Sequence, residues 1–195
     1  MRTALFAARL TRELSDSEQT TLFSCLPPER RTRFLRGKAR AGRSEILCAY
    51  GLLRVALRLE LSWRELPPVA LTDRGKPFFP DYPSVCFSLS HADGAALVGL
   101  SPAPIGVDIE KTRPVRPRLM KRAAGTDDLE AFFREWVALE AVGKRDGGGL
   151  AGVWGADVPA SSDAGYLPAE TWPGYFAGVA CSSGEVPSET RLYVV

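Results

Sequence analysis

The chain contains 195 residues, of which 45% are hydrophobic and 25% are charged, and its formal net charge at pH 7 is +2. A chain of this length and composition can bury a hydrophobic core as one domain or two small ones, which excludes an intrinsically disordered protein. The net charge is too small to indicate binding to nucleic acid or to a membrane surface. Since the sequence shows neither a signal peptide nor an apolar run of transmembrane length, we expect a cytoplasmic protein with no membrane partner.

The first half of the chain is predicted to contain both helices and strands. In chain order, these are a strand at 3–10, a basic helix after Pro28, a helix at 44–61, a turn at 73–77 and strands at 85–89 and 95–100. Residues 90–94 join the last two strands and include His91, the only histidine of the chain.

A run of basic residues without any acid extends from residue 30 to residue 43. Its members are Arg30, Arg31, Arg33, Arg36, Lys38, Arg40 and Arg43. Such a run is either a solvated helix face or a binding site for phosphates or for an acidic protein.

The prolines at 102 and 104 divide the chain into two parts of similar size, each predicted to mix helix with a small sheet. The second part is predicted to contain a strand at 105–110, a basic proline-containing segment at 111–122, a helix at 128–145 and strands at 175–181 and 191–195. The four cysteines of the whole chain, Cys25, Cys48, Cys86 and Cys181, are too widely spaced to indicate a zinc site or a disulfide framework. The fold class predicted from these elements is α+β.

Two carboxylates, Asp108 and Glu110, alternate with apolar residues on the strand at 105–110. They lie on one strand face, roughly 6.6 Å apart along it, where a cation between them would relieve their repulsion. Oxygen ligands of this kind suit Mg²⁺. The alternative is a solvated strand face, and in either case we expect Asp108 to face the surface and to contribute little to stability.

Glu140 breaks the apolar pattern of the helix at 128–145, because it follows Phe132 and Trp136 at steps of four residues. Lys144 lies one turn further on. The pair is either a surface Glu–Lys contact or a functional one, since a carboxylate on a buried stripe needs a metal, a donor or a cation as its partner.

Four short motifs follow one another along the chain: Gly75-Lys76-Pro77, 87–91 (Phe-Ser-Leu-Ser-His), 106–111 (Gly-Val-Asp-Ile-Glu-Lys) and 136–144 (Trp-Val-Ala-Leu-Glu-Ala-Val-Gly-Lys). In this order they resemble the 4′-phosphopantetheinyl transferases, of the larger monomeric type that activates nonribosomal peptide and polyketide synthases. The resemblance extends from about Pro28 to Cys181, which is most of the chain.

The resemblance implies two similar α+β halves, at residues 1–103 and 104–195, related by pseudo-twofold symmetry with the active site between them. It implies transfer of phosphopantetheine from coenzyme A to a serine of an apo acyl or peptidyl carrier protein, with release of adenosine 3′,5′-bisphosphate. It also implies a monomer that requires Mg²⁺.

By the same resemblance, Asp108, Glu110 and Glu140 are the Mg²⁺ ligands, and Glu140 or a metal-held water accepts the serine proton. Asp108 and Lys144 belong to the catalytic group, with Lys144 steadying the leaving group. The residues expected to contact coenzyme A are Lys76, Pro77, Ser90, His91, Arg30, Arg33, Arg43 and Ser44. A role for His91 as a base is not favoured, because no acid that would orient it is evident in the sequence.

The chain departs from the family pattern at two places. Leu139 stands where the family has a lysine, and the segment between Arg113 and Trp136 is short, with Asp127 and Asp128 near the position of a further family acid. The basic residues at 111–122 are expected to attract an acidic carrier protein.

Two other functions are weighed against this one. The first is a relative that binds coenzyme A or a carrier protein without catalysis, against which the joint presence of Asp108, Glu110, Glu140 and Lys144 argues. The second is a nucleic-acid-binding protein, which is disfavoured because Phe34 is the only aromatic residue within the basic run.

Overall fold

The computed structural model describes residues 1–37, 40–152, 159–182 and 189–195. Within these ranges, the side chains at positions 29, 33, 36, 37, 40 and 41 are not described. The helices are α1 (Asp16–Phe23), α2 (Pro28–Gly37), α3 (Arg40–Leu61), α4 (Pro117–Ala124) and α5 (Leu129–Arg145). The strands are β1 (Ala4–Arg9), β2 (Ala70–Leu71), β3 (Pro77–Phe78), β4 (Cys86–Ala92), β5 (Ala95–Ser101), β6 (Ile105–Lys111), β7 (Tyr166–Pro168), β8 (Tyr175–Cys181) and β9 (Thr190–Val194).

Two sheets and one short hairpin carry the fold. The first sheet has the strand order β4-β5-β1-β9, in which β9 runs parallel to β1 and the other pairs are antiparallel. The second sheet has the order β6-β8-β7 and is antiparallel throughout, while β2 and β3 form the separate hairpin. The predicted α+β class is confirmed, and the pseudo-twofold relation remains a prediction.

Strand β5 is buried along its whole length because it has a hydrophobic neighbour on each face. Ala96 and Val98 belong to the core that α3 covers, whereas Ala95 and Leu97 belong to a second core shared with β6 and β8. The alternation of side chains along a strand therefore places β5 between the two hydrophobic cores.

The division at residues 103 and 104 separates β1–β5 from β6–β8 along the chain. Strand β9 does not follow this division, because it pairs with β1 in the first sheet. The two-half organisation therefore remains a prediction, with β9 as a connection between the halves.

The structure corrects the predicted position of His91. Strand β4 continues through His91 to Ala92, and the connection to β5 is only Asp93 and Gly94. Both have positive φ, 44° and 86°, which is the geometry of a two-residue hairpin turn. His91 therefore lies on a strand and not in a loop.

The sequence analysis did not predict α1, α4 or β7. Helix α1 begins with a capping box, in which Ser15 and Glu18 exchange hydrogen bonds between side chain and backbone. Helix α4 begins directly at Pro117 and packs against α5 through Met120. Proline is favourable at the first position of a helix, so the prolines of this segment did not exclude one.

No helix in the described ranges has the length and apolar character needed to cross a membrane. The four cysteines all lie in these ranges and form no disulfide.

The two acids whose role the sequence left open have separate structural roles. The Asp128 carboxylate caps α5 by accepting a hydrogen bond from the Ala131 amide at 2.7 Å, whereas the exposed Asp127 pairs with Lys121 at 2.7 Å. We expect Asp128→Ala to lower the free energy of unfolding by about 1 kcal/mol, the usual effect of losing a helix cap. Asp127→Ala is the matched control and should change it by less than about 0.5 kcal/mol, because exposed ion pairs contribute little. Urea unfolding of both variants measures the difference, and equal effects would contradict the capping role.

Candidate functional site

The candidate site forms where α5 crosses β6 beside strand β4. The close approach of α5 to β6 depends on Gly106, since a Cβ there would overlap the Ala141 carbonyl oxygen and the Arg145 amide nitrogen. Without that side chain, the backbone of α5 packs directly on β6. Asp108 and Glu110, two and four positions after Gly106 on β6, therefore lie against the inner face of α5.

Asp108 is the centre of this cluster. Its Oδ1 atom accepts hydrogen bonds from Ser90 Oγ at 2.7 Å and from Lys144 Nζ at 2.6 Å, and Lys144 Nζ also donates to Ser90 Oγ at 3.1 Å. Asp108 is only 3% exposed, so the expectation of a surface-facing acid is wrong. The strand face that carries Asp108 is covered by α5 instead of solvent.

Glu140 lies beside Lys144, with 4.0 Å between its Oε2 atom and Lys144 Nζ. Its side chain is 22% exposed. Burial raises the pKa of Glu140, the ammonium of Lys144 opposes that change, and the charges of Asp108 and Glu110 add to it. Glu140 is thus a carboxylate that binds a proton more readily than an exposed one does.

Glu110 is on the same face of β6 as Asp108, as the alternation of the strand predicts. Its Oε1 atom accepts a hydrogen bond from Trp136 Nε1 at 3.3 Å, and its Oε2 atom pairs with Arg113. The apolar stripe of α5 therefore supplies both a donor for Glu110, through Trp136, and the carboxylate of Glu140.

The residues present fit a magnesium ion by their chemistry. Asp108, Glu110 and Glu140 provide carboxylate oxygens, which Mg²⁺ prefers, and Asp108 Oδ2 is buried without a hydrogen-bond partner. In the described part of the chain, no three acidic, histidine or cysteine side chains are already arranged around one point as metal ligands. Lys144 and Arg113 instead neutralise these acids. The ligand assignment therefore remains a prediction.

A cleft of about 210 Å³ opens beside this cluster, and among the side chains that the structure describes, its charged lining residues are cationic. They are Arg30, Arg74, Lys76 and Lys144, and Pro77 also lines the cleft. The guanidinium of Arg30 donates to the Gly75 carbonyl at 3.3 Å, and its buried Nε atom has no partner. A cationic cleft of this kind is suited to phosphate groups.

Lys76 also connects the loop before β3 to β6 and α5. Its ammonium donates to the Arg145 carbonyl at 2.9 Å, at the end of α5, and to the Ile105 carbonyl at 3.3 Å, at the start of β6. Burial lowers the pKa of Lys76. Lys76 therefore has a structural role, which the sequence did not predict, in holding the end of α5 and the start of β6. Its contact with the nucleotide remains a prediction.

The remaining predicted nucleotide residues lie on or near α3. Arg43 stacks on the Phe34 ring at 5.7 Å, and its buried Nε atom has no hydrogen-bond partner. Ser44 is 1% exposed and its hydroxyl oxygen accepts from the Leu14 amide at 3.2 Å, so a direct nucleotide contact would require its surroundings to open. The side chain of Arg33 lies outside the described residues.

His91 has an acidic partner that the sequence analysis missed. Its Nδ1 atom lies 3.2 Å from the Oε2 atom of Glu45, on α3, and the argument that no orienting acid exists is therefore wrong. Glu45 lies 46 residues earlier in the chain. No local pattern predicts this contact, because it depends on the packing of α3 against β4.

Comparison with known proteins gives a consistent result at low sequence identity. No protein-family model matches the chain. The 4′-phosphopantetheinyl transferase Sfp of Bacillus subtilis (strain 168) is 24% identical over an alignment of 216 positions that covers 96% of each chain. The 4′-phosphopantetheinyl transferase ffp of Bacillus subtilis is 24% identical over 160 positions, covering 75% of this chain and 71% of the relative. The 4′-phosphopantetheinyl transferase psf-1 of Bacillus pumilus is 30% identical over 88 positions, covering 39% of this chain and 38% of the relative.

Over nearly its whole length, the chain is therefore similar to a 4′-phosphopantetheinyl transferase of the Sfp type. The resemblance found in the sequence motifs is confirmed by these relatives. Leu139 is buried on α5 and the short segment after Arg113 contains α4, so both departures from the family pattern are compatible with a folded site.

The burial of Asp108 predicts that changing this residue lowers the stability of the protein. Asp108→Ala would leave the Lys144 ammonium without its closest anion, and we expect the free energy of unfolding to fall by about 1.5–3 kcal/mol. The double variant Asp108→Ala/Lys144→Met should recover part of this loss, because it removes the charge that the single variant leaves unpaired. Urea unfolding of the two variants and of Lys144→Met measures the coupling. Additive effects of the two substitutions would contradict a direct Asp108–Lys144 interaction.

Proposed function

We propose that this chain transfers 4′-phosphopantetheine from coenzyme A to a serine hydroxyl of an apo acyl or peptidyl carrier protein, in the presence of Mg²⁺. The names of the relatives support the transferase reaction. The observation that carries the proposal is the cluster of Ser90, Asp108, Glu140 and Lys144 beside a cationic cleft. The proposal includes a monomeric, cytoplasmic protein that does not bind nucleic acid.

In the reaction, the serine oxygen forms a bond to the phosphorus that carries the pantetheine arm. The bond from that phosphorus to the bridging oxygen breaks, and adenosine 3′,5′-bisphosphate leaves with the electron pair. Such a transfer needs its phosphate charge neutralised and its nucleophile aligned. The site has groups for both tasks.

The cationic cleft binds the substrate phosphates. Arg30 and Lys144 line the cleft from opposite halves of the molecule, and Lys76 lies between them on the loop before β3. Lys144 lines the cleft and also contacts Asp108 at 2.6 Å, so it is suited to stabilise the negative charge that develops on the leaving oxygen. His91 binds a further phosphate group of coenzyme A.

Glu140 accepts the serine proton. Its raised pKa makes it a better base than an exposed glutamate, and general bases work best when their pKa lies near the working pH. Asp108, Glu110 and Glu140 would hold Mg²⁺, which when bound neutralises the pyrophosphate charge.

The basic residues after β6 form the carrier-docking surface of the proposal. Arg113 pairs with Glu110, so this segment begins at the site itself. Arg116 and Arg118 are exposed at the start of α4, next to Leu119, which is 36% exposed. A basic helix face with one apolar side chain is complementary to an acidic helix.

The direct test is to incubate the protein with coenzyme A, Mg²⁺ and apo carrier proteins from fatty acid, polyketide and peptide synthesis. We expect the mass of at least one carrier to increase by one phosphopantetheine group. Binding of coenzyme A without transfer to any of the three would instead indicate the non-catalytic relative.

Glu140→Gln separates the catalytic role of this side chain from its effect on stability. We expect the transfer rate to fall by about 10²-fold or more, the scale of a positioned base. We expect stability at neutral pH to rise, because an acid whose folded pKa is raised destabilises the folded state once pH exceeds its unfolded pKa. The matched control is Glu130→Gln, at an exposed acid of the same helix that pairs with Arg134. Single-turnover rates and urea midpoints measure both effects, and a loss confined to carrier affinity would make Glu140 a docking residue.

Charge reversal tests the docking surface. The double variant Arg116→Glu/Arg118→Glu should raise KM for the carrier and leave coenzyme A binding unchanged, with the largest effect at low salt. Arg58→Glu/Arg64→Glu applies the same charge change at exposed positions on and just after α3. Unchanged carrier kinetics in the first variant at low salt would place docking elsewhere.

A further inference from the structure

We propose that Glu45 is a positioning residue: its carboxylate accepts a hydrogen bond from His91 Nδ1 and so turns Nε2 towards a phosphate group of coenzyme A, to which Nε2 donates. The inference rests on the proposed function, in which His91 binds phosphate. It adds a residue that is absent from the four sequence motifs.

Each oxygen of Glu45 has a contact that bears on His91. The Oε1 atom accepts a hydrogen bond from the Gly94 amide at 2.8 Å, and the Oε2 atom lies 3.2 Å from His91 Nδ1. A carboxylate oxygen only accepts hydrogen bonds, so this contact requires the proton to be on Nδ1. Within the described part of the chain, Nε2 has no hydrogen-bond partner.

The surroundings of Glu45 make this arrangement rigid. The turn at Asp93 and Gly94 is held by the Leu10 amide, which donates to the Gly94 carbonyl at 2.7 Å, and by the Tyr175 hydroxyl, which donates to the Asp93 carbonyl at 2.6 Å. Because Gly94 is fixed, its amide fixes Glu45 Oε1 in turn. The other oxygen of Glu45 is thereby directed at the histidine ring.

The ring remains accessible, since the His91 side chain is 28% exposed while that of Glu45 is 14% exposed. Along β4, Ser88 and Ser90 bond to β6, whereas His91 points to the other face, towards α3. Arg43, the last residue of the basic run, lies two residues before Glu45 on α3. An imidazole between a carboxylate and a phosphate donates from both nitrogens, which is the form that binds an anion.

Glu45→Gln tests the position of the ring proton, because the Gly94 amide fixes which way the glutamine amide points. The Gly94 amide donates a hydrogen bond and therefore needs an acceptor in the variant as well. The glutamine carbonyl oxygen keeps that bond, so its NH₂ group faces His91 Nδ1. A donor at this position forces Nδ1 to accept, which moves the neutral ring's proton to Nε2. As the chain has only one histidine, its two ring nitrogens give a single pair of ¹⁵N signals in a proton-detected spectrum.

We expect the wild-type spectrum to show Nδ1 protonated and the Glu45→Gln spectrum to show the neutral ring protonated at Nε2. In Glu45→Gln, Nε2 still donates to the phosphate, but from a neutral ring, whereas beside the Glu45 carboxylate the ring can donate from both nitrogens as a cation. We therefore expect coenzyme A to bind Glu45→Gln about tenfold or more weakly, the scale of one hydrogen bond to a charged group, with the KM for the carrier unchanged. Glu60→Gln is the matched control on α3, since it breaks the Glu60–Arg191 ion pair and should leave both measurements unchanged.

A double-mutant cycle with His91→Ala separates the two proposals. If Glu45 acts through His91, Glu45→Gln should have no further effect on coenzyme A affinity in the His91→Ala background. If His91→Ala binds coenzyme A as the wild type does, the phosphate contact of the proposed function is wrong. A loss in His91→Ala without one in Glu45→Gln, or a ring proton that stays on Nδ1 in Glu45→Gln, overturns the role of Glu45 alone.

Discussion

The direct packing of α5 on β6 is the constraint on which the site depends. It exists because Gly106 has no side chain to hold the helix away from the strand. At this separation, Lys144 Nζ can reach Asp108 Oδ1 at 2.6 Å and Ser90 Oγ at 3.1 Å, which joins α5, β6 and β4 through one ammonium group. A helix one methyl group further away would leave a buried carboxylate without its cation, which is strongly unfavourable.

The site contains several buried polar and charged groups whose burial, taken alone, lowers the stability of the folded state. Asp108 Oδ2 is buried without a partner, burial raises the pKa of Glu140, and burial lowers the pKa of Lys76. The hydrophobic cores on both sides of β5 provide the stability that permits this arrangement. Polar groups that are incompletely satisfied in the protein remain available to a substrate or an ion.

The sequence predicted the elements that have a strong local pattern. Helix α5 and strand β6 were found within one or two residues, because their periodicities are clear and glycine and proline residues flank them. The burial of Asp108 could not be predicted, since an alternating strand shows which residues share a face but not what covers that face. The Glu45–His91 contact and the backbone bonds of Lys76 were missed for the same reason: each depends on tertiary packing between distant segments.

The pairing of β9 with β1 has a consequence for how the chain reaches its native structure. Leu5 lies opposite Thr190, so the first sheet joins residues from nearly opposite ends of the described sequence. Contacts with such large sequence separation form late, because the entropy of closing the intervening chain must be overcome first. During synthesis, β1 has one open edge until residue 194 has left the ribosome. Other strands can attach to an open strand edge in a nascent chain. Chaperone assistance would therefore have its greatest effect at the stage of folding before β9 pairs with β1.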